Sequence, residues 1–166
     1  MMSPVEKLLA IEEIRLLKAR YFRFVDSHDW VGFRSLFADD SVFISSGVVD
    51  AATGAKQDGS SPLGDWPQTR IEGGDAIVAW ASGGLDDAHS VHTGYMPEIE
   101  ILSPDSARAL WSMQDIVRWP RRVLTGHGYY KETYVRHNEV WLILTVELVR
   151  KSLQIDDLHT TGARIA

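Results

Sequence analysis

The chain has 166 residues, enough for one domain with a substantial hydrophobic core. Its formal net charge of −6 argues against a nucleic-acid partner, because phosphate binding needs clustered positive charge. It contains no cysteine, which excludes disulfides, thiol nucleophiles and thiolate metal sites.

No apolar run is long enough to span a membrane, and no secretory signal is visible. The sequence therefore predicts a cytoplasmic protein without a membrane partner.

The first part of the sequence predicts two helices and a short strand. Apolar residues recur at three- and four-residue steps over residues 5 to 28, which predicts a long helix with one apolar stripe. The stripe consists of Leu8, Ile11, Ile14, Leu17, Tyr21 and Val25. Ser3, Pro4 and Glu6 make a good helix start. A short helix over residues 30–37 and a strand at residues 42–44 are predicted next.

Residues 45–70 are rich in Gly, Ser, Pro and Asp and predict a long loop inside a single domain that covers residues 1–166. Loops of this length in compact domains are usually either functional lids or disordered segments. A short helix is predicted from Gly73 to Gly84.

From His89 onward the apolar residues alternate with period two, which predicts strands at 89–103, 106–120, 124–137 and 140–154. Hairpin turns are predicted at residues 103–105 and 135–138. Four consecutive strands preceded by helices indicate an α+β fold, with an antiparallel sheet and the helices packed on one face.

Strand parity separates the two faces of the sheet. In the last strand, one face is wholly aliphatic and is predicted to be core: Val140, Leu142, Leu144, Val146 and Leu148, with Arg150 continuing the line. In the second of the four strands, the more apolar face carries Trp111, Met113, Asp115, Val117 and Trp119.

Asp115 and His92 are the first candidates for chemistry. A carboxylate on an apolar face is costly unless it is paired. Asp115 is therefore either a pocket group, the partner of Arg118, Arg108 or Arg150, or a residue that a bulge turns toward water. His92 can transfer protons at neutral pH, although a histidine bonded to a backbone carbonyl is the alternative. His89 lies three residues earlier and hence on the opposite strand face, so we expect no metal site.

Three further residues are candidates with plain structural alternatives. Tyr21 lies on the helix stripe and either fills the core or presents its hydroxyl to a pocket. Asp26 is either a pocket group or a carboxylate of the last helical turn. His127 lies between two glycines, which permit close approach of a ligand or mark a bulge.

The order of several segments resembles that of SnoaL-like proteins of the nuclear transport factor 2-like (NTF2-like) superfamily. The resemblance covers most of the chain outside residues 45–70 and the tail. The matching segments are residues 19–30, residues 33–42, His92 with residues 98–101, residues 107–111, residues 126–136 and residues 140–143.

The resemblance implies a cone-shaped fold in which a curved antiparallel sheet wraps a long N-terminal helix and encloses an apolar pocket. Among the family's enzymes, the dehydratases that act on scytalone and on bile acids are most similar to this chain. Tyr21, Asp26 and His92 match their pocket residues, and Asp115 matches a strand carboxylate of the bile-acid enzyme. Scytalone dehydratase has a second pocket tyrosine without a clear match here, and the sequence leaves open whether Arg150 matches an arginine of the bile-acid enzyme.

From the residues and the resemblance together, we expect a cofactor-free dehydratase or isomerase. Its substrate would be a hydrophobic cyclic hydroxy- or keto-compound, such as a steroid, polyketide or aromatic-pathway intermediate. His92, Asp26, Tyr21 and Asp115 would be catalytic, without a metal. The residues expected to bind substrate are Trp111, Met113, Phe43, Trp119, Arg150 and His127.

Two alternatives remain: a non-catalytic module that binds a small ligand or a protein, and the small subunit of a ring-hydroxylating dioxygenase. An open sheet face also leads us to expect a homo-oligomer, a dimer or trimer.

Overall fold

The structure is a computed structural model that describes residues 2–48 and 69–158. Its helices are α1 (Pro4–Asp26), α2 (Trp30–Arg34) and α3 (Gly74–Leu85). Its strands are β1 (Phe37–Val48), β2 (Thr69–Glu72), β3 (His89–Ser103), β4 (Ser106–Trp119), β5 (Arg122–His137) and β6 (Val140–Asp157). Within this part of the chain, no helix is long and apolar enough to cross a membrane.

Helix α1 begins with a capping box, as the sequence predicts. The Ser3 hydroxyl accepts from the Glu6 amide, and the Glu6 carboxylate accepts from the Ser3 amide at 2.6 Å. The buried face consists of Ala10, Ile14, Leu17, Lys18, Tyr21 and Val25. The predicted stripe is therefore wrong at Leu8, which is exposed, and it omits Lys18. The reason is that, at 3.6 residues per turn, Leu8 lies on a different side of the helix from the buried residues.

The six strands form one curved sheet in the order β2-β1-β6-β5-β4-β3. Strands β3 to β6 are antiparallel neighbours, as predicted, but β1 runs parallel to β6. The sheet is consequently mixed, and the expectation of a purely antiparallel sheet is wrong at this one pairing. The predicted α+β class and the sheet wrapped around α1 are confirmed.

The predicted core face of β6 is wrong in its first half. Trp141 and Ile143 are buried there, whereas Leu142 and Leu144 are only half-buried. Thr133 pairs with Thr145 but Tyr134 pairs with Ile143, so Leu144 is an extra residue in the ladder. This β-bulge shifts the parity, and the predicted line Val146, Leu148 and Arg150 is buried beyond it.

Several predicted boundaries change. Strand β1 begins at Phe37, where the second helix was expected to end, and continues through Val48. Strand β2 begins at Thr69, so residues 45–48 and 69–70 of the predicted loop are strand, and the rest of the loop lies outside the described residues. The last hairpin turns at Asn138 and Glu139 rather than at 135–138, and both have the positive φ angles typical of a tight hairpin.

Candidate active site

A histidine and an aspartate meet where the end of α1 crosses β3. Asp26 is the last residue of α1, and its Oδ1 accepts a hydrogen bond from His92 Nδ1 at 2.7 Å. Its Oδ2 accepts from the backbone amide of His92 at 2.9 Å. The Ser90 hydroxyl also donates to Asp26 Oδ1, at 2.8 Å. Three hydrogen bonds therefore fix the carboxylate against the strand.

This pairing determines which ring nitrogen of His92 carries a proton. An ionised carboxylate can only accept hydrogen bonds, so the neutral imidazole carries its hydrogen on Nδ1. Nε2 is left as the basic nitrogen.

Local sequence explains why the helix end reaches the strand. Alternation along β3 places Ser90 and His92 on the face toward α1, with Ser90 buried. Gly94 follows on the same face, and a Cβ there would lie 2.6 Å from the Phe22 ring. The missing side chain lets the helix pack closely against β3, which brings Asp26 within hydrogen-bond distance of His92.

A second polar pair joins the neighbouring strand β4 to β6. His92 and Asp115 are directly opposite in the register of β3 and β4. Asp115 is 1 % exposed, and its Oδ2 accepts a hydrogen bond from Arg150 Nη2. Asp115 Oδ1 and Arg150 Nε are both buried without a hydrogen-bond partner in the structure. Buried polar atoms are normally satisfied, so this ion pair is incompletely bonded within the described residues.

Gly126 makes room for this pair. It lies opposite Asp115 on β5, and a Cβ there would come within 2.0 Å of Asp115 Oδ1 and 2.9 Å of Arg150 Nε. Any side chain at this position would displace the carboxylate. The glycine that the sequence suggested as a ligand approach point instead accommodates an ion pair of the protein itself.

Both polar groups border one cavity of about 310 Å³. Six of the predicted site residues line it: Tyr21, Phe43, His92, Asp115, Trp119 and Arg150. Asp26 lies behind His92. The mouth is formed in part by Trp80 of α3, whose ring packs against Phe43 at 4.9 Å between centroids. Trp119 is anchored by its Nε1, which donates to Gly84 O at 3.1 Å.

Two tyrosines bring phenol groups to the cavity. Tyr21 and Tyr130 both line it, and neither hydroxyl hydrogen-bonds to any of the described residues. Burial raises the pKa of Tyr21, and the nearby carboxylates Glu132 and Asp115 raise it further. Burial raises the pKa of Tyr130 as well. Both phenols therefore stay protonated at neutral pH and can donate a hydrogen bond to a ligand oxygen.

The structure places three predicted substrate-binding residues away from the cavity. Trp111 and Met113 share the inner face of β4 with Asp115 but lie further along the strand in the main core. Trp111 Nε1 donates to Tyr134 there, at 3.0 Å. His127 is exposed on the outer sheet face, because its parity on β5 is opposite to that of Gly126. The expectation that these residues line the pocket is wrong.

The sequence reasoning also missed residues. Tyr130 was not singled out, although it shares parity with Gly126 and Leu124 on β5, which would have placed it on the inner face. Ser90 was missed although it precedes His92 by two residues and so points the same way. Trp80 and the other cavity residues of α3 lie on a helix, so the parity of the strands could not predict them.

Among the described residues, no three His, Asp or Glu side chains are close enough together to hold a metal ion.

Comparisons with known proteins place the fold. No curated protein matches the sequence at a significant level. A scytalone dehydratase-like protein from Novosphingobium aromaticivorans is 19% identical, with a TM-score of 0.70 over 97% of this chain and 95% of that one. The hexachlorocyclohexane dehydrochlorinase LinA-type3 from Novosphingobium barchaimii is 14% identical, with a TM-score of 0.72 over 99% of this chain and 100% of that one.

An aromatic ring hydroxylase-like protein from Novosphingobium aromaticivorans is 18% identical, with a TM-score of 0.69 over 95% of this chain and 96% of that one. Identities this low show a shared fold only. The model of the SnoaL-like domain matches residues 6–147, which is most of the chain. The chain therefore belongs to the SnoaL-like domain family and has the NTF2-like fold.

Proposed function

We propose that the protein is a cofactor-free dehydratase or isomerase acting on a hydrophobic cyclic hydroxy- or keto-compound, such as a steroid, polyketide or aromatic-pathway intermediate. The observation that carries the proposal is the His92–Asp26 pair beside an apolar cavity, with Nε2 left as the basic nitrogen. The dehydrochlorinase and the dehydratase-like neighbour support elimination chemistry on this fold.

His92 is the general base in the proposed reaction. Nε2 takes a proton from the carbon next to a carbonyl, and the electron pair of that C–H bond passes into an enolate. Asp26 stabilises the resulting imidazolium through Nδ1–H. In a dehydration, the C–O bond on the next carbon then breaks, and the leaving hydroxyl takes the proton from Nε2 and departs as water. In an isomerisation, the same proton returns to a different carbon.

Tyr21 and Tyr130 are the proposed donors to the enolate oxygen. Their raised pKa values keep the phenols protonated, so they donate hydrogen bonds to the oxygen as its negative charge develops. Buried tyrosine hydroxyls usually have a partner, and these two have none among the described residues. This supports a substrate oxygen as their partner.

Asp115 and Arg150 give the cavity a second polar wall. Both residues line the cavity, and a carboxylate beside a guanidinium suits a substrate group that can both donate and accept, such as a hydroxyl. The remaining walls are largely apolar and aromatic. The cavity volume is at the lower end of the roughly 300–1,000 Å³ usual for ligand sites, which favours the smaller compounds of the proposed class.

The test is turnover of a panel of cyclic β-hydroxyketones, followed by the ultraviolet absorbance of the enone product. Replacing His92 by Ala is expected to lower kcat by about 10²–10⁴-fold, the usual contribution of a positioned base. His127→Ala is the matched control, since His127 lies on the outer face. Equal turnover by the two variants would reject the mechanism.

The non-catalytic alternative predicts a different outcome for the same experiment. A ligand-binding module would hold the compounds with similar affinity in the wild-type protein and in His92→Ala, without conversion in either. Equilibrium dialysis of each compound against both proteins distinguishes binding from turnover.

We also propose that the protein forms a homo-oligomer, a dimer or trimer, through the outer face of β3 and β4. Val91 and Ile116 are paired across these strands and exposed there, and Met96 is 82% exposed nearby. Sedimentation equilibrium of the wild type and of Val91→Lys tests this, with a monomeric variant expected. A small subunit of a dioxygenase would instead need a large partner, so a stable oligomer of this chain alone counts against that alternative.

A further inference from the structure

A lysine and a glutamate are sealed inside the core beneath the cavity. Lys18 of α1 and Glu132 of β5 are both 0% exposed in their side chains, and Lys18 Nζ lies 2.5 Å from Glu132 Oε1. Burial lowers the pKa of Lys18, and the Glu132 carboxylate opposes that shift. Two apolar residues would fill this volume at less cost in desolvation, so the pair calls for a reason beyond packing.

The lysine ammonium lies between two aromatic rings. Nζ is 3.9 Å from the centre of the Tyr21 ring and 3.8 Å from the centre of the Tyr130 ring. The Phe22 ring is also close, at 4.7 Å. A cation within about 6 Å of a ring face is attracted to it, and the attraction is stronger when water is excluded. One charge therefore restrains two rings at once.

Tyr21 and Tyr130 are the two tyrosines that line the cavity. Their hydroxyls have no partner among the described residues, so no hydrogen bond within this part of the protein fixes where they point. The orientation of the two hydroxyls therefore depends on how the rings pack and on the Lys18 ammonium. The two rings contact each other with centroids 6.1 Å apart.

Glu132 holds the ammonium in place. Its Oε1 bonds Lys18, and its other oxygen accepts from the Tyr134 hydroxyl, which in turn accepts from Trp111 Nε1. This chain of bonds connects α1, β5 and β4 below the cavity floor.

We propose that Lys18 is a positioning residue, which never touches substrate but fixes the rings of Tyr21 and Tyr130 so that both hydroxyls are presented to one substrate oxygen. The proposal rests on the proposed function for the identity of that oxygen. The ring restraint itself does not depend on it, and it can be measured without a substrate.

The first experiment is ¹⁹F NMR of protein labelled with 3-fluorotyrosine, assigned by single Tyr→Phe changes. In the wild type, Tyr21 and Tyr130 are expected to give sharp signals from fixed rings. In the double variant K18M/E132Q, which removes both charges together, these signals are expected to broaden or merge as the rings reorient. Met113→Leu is the control, because Met113 is buried in the same core without lining the cavity.

Unchanged Tyr21 and Tyr130 signals in the folded double variant would overturn the proposal. If K18M/E132Q does not fold, K18M/E132M removes every polar atom of the pair and is subject to the same two outcomes.

The second measurement uses any β-hydroxyketone that the wild type converts. K18M/E132Q is expected to lower kcat by about tenfold with little change in KM, because misoriented donors weaken mainly the transition state. A pair that served only to fill the core would leave kcat unchanged in a folded variant. If the proposed function is wrong, His92→Ala will have the same turnover as the wild type. The NMR result does not depend on turnover, so it tests the ring restraint separately.

Discussion

Two ion pairs are buried in the core formed by residues 2–48 and 69–158, and they differ in how completely they are bonded. In the Lys18–Glu132 pair, both carboxylate oxygens are engaged and the ammonium lies against aromatic rings. The Asp115–Arg150 pair has an oxygen and a nitrogen without partners, and it borders the cavity. The first pair is completed within the protein, whereas the second is incompletely bonded and adjoins the proposed ligand site.

This difference separates two uses of buried charge. A fully bonded pair can restrain its neighbours but has nothing left with which to bind a substrate. A partly bonded pair loses stability, because a buried polar atom without a partner costs about 1–3 kcal/mol. That loss is understandable where the pair also lines a cavity that binds a ligand. We therefore expect substitutions in the first pair to act mainly on stability and ring orientation, and those in the second mainly on ligand binding.

The largest expected effect is at Glu132. Glu132→Gln leaves the Lys18 ammonium buried without a counter-charge and is expected to reduce the free energy of unfolding by about 3–5 kcal/mol. The double variant K18M/E132Q should recover most of this loss. Urea denaturation of the three proteins measures both values. Equal losses in the single and double variants would show that the charge pairing is unimportant.

Alkaline pH is expected to unfold the protein through its buried tyrosines. Burial raises the pKa values of Tyr21, Tyr130 and Tyr134, so above about pH 10 the unfolded chain releases protons that the folded protein retains. Stability should fall there by about 1.4 kcal/mol per pH unit for each tyrosine. Lys18 acts in the opposite sense at lower pH. Its lowered pKa makes stability rise with pH up to about 10.4.

The measurement is urea denaturation at a series of pH values above 9. Tyr21→Phe should remove one tyrosine's share of the slope. Tyr95→Phe is the control, because Tyr95 is half-exposed on the outer face. An identical slope in wild type and Tyr21→Phe would contradict the assignment.

A smaller effect is expected at Gly126, which tests the open pair. Gly126→Ala forces Asp115 and Arg150 to move and is expected to cost about 1–3 kcal/mol, as overpacking does, and to weaken binding of a hydroxyketone. Gly83→Ala is the matched control, since nothing lies within 4 Å of a Cβ at that position. Thermal melting and equilibrium dialysis of both variants measure the two effects. If Gly126→Ala binds ligand as the wild type does, the pair has no part in recognition.

The smallest expected effect is at Ser90. Ser90→Ala removes one of three hydrogen bonds to Asp26 and is expected to cost about 1 kcal/mol, with a several-fold fall in kcat. Thr93→Ala, on the exposed side of the same strand, serves as the control. Thermal melting and the enone assay compare the two, and a loss no greater than that of Thr93→Ala would remove Ser90 from the site.

Where the strands are regular, sequence periodicity predicted the strand bounds and faces well. The parity of β4 placed Asp115 correctly on the inner face, and the four strands from His89 onward were found with small errors at their ends. The proximity of Asp26, His92 and Asp115 depends on how α1 crosses the sheet, which no local pattern contains. Their proximity could be predicted only from the resemblance to the family.

Other features depend on contacts that a sequence pattern cannot show. The extra residue Leu144 reversed the faces of β6, because one inserted residue changes the parity of all that follow. Lys18 was not recognised as buried, since a lysine within a helix is usually solvated and its partner lies 114 positions away. The parallel pairing of β1 with β6 was also missed, because the two strands are far apart in the sequence.

That parallel pairing also determines when the sheet can be completed. Strand β1 is made early, but its neighbour β6 is the last strand of the described chain to be synthesised, and Ser41 bonds Ile143 across 102 positions. Until β6 is synthesised, β1 therefore has one unpaired edge, and the apolar face of α1 is incompletely covered. Long-range pairings of this kind form slowly and leave intermediates prone to association. Release of β6 from the ribosome is thus the step at which we expect the chain to gain its protection against aggregation.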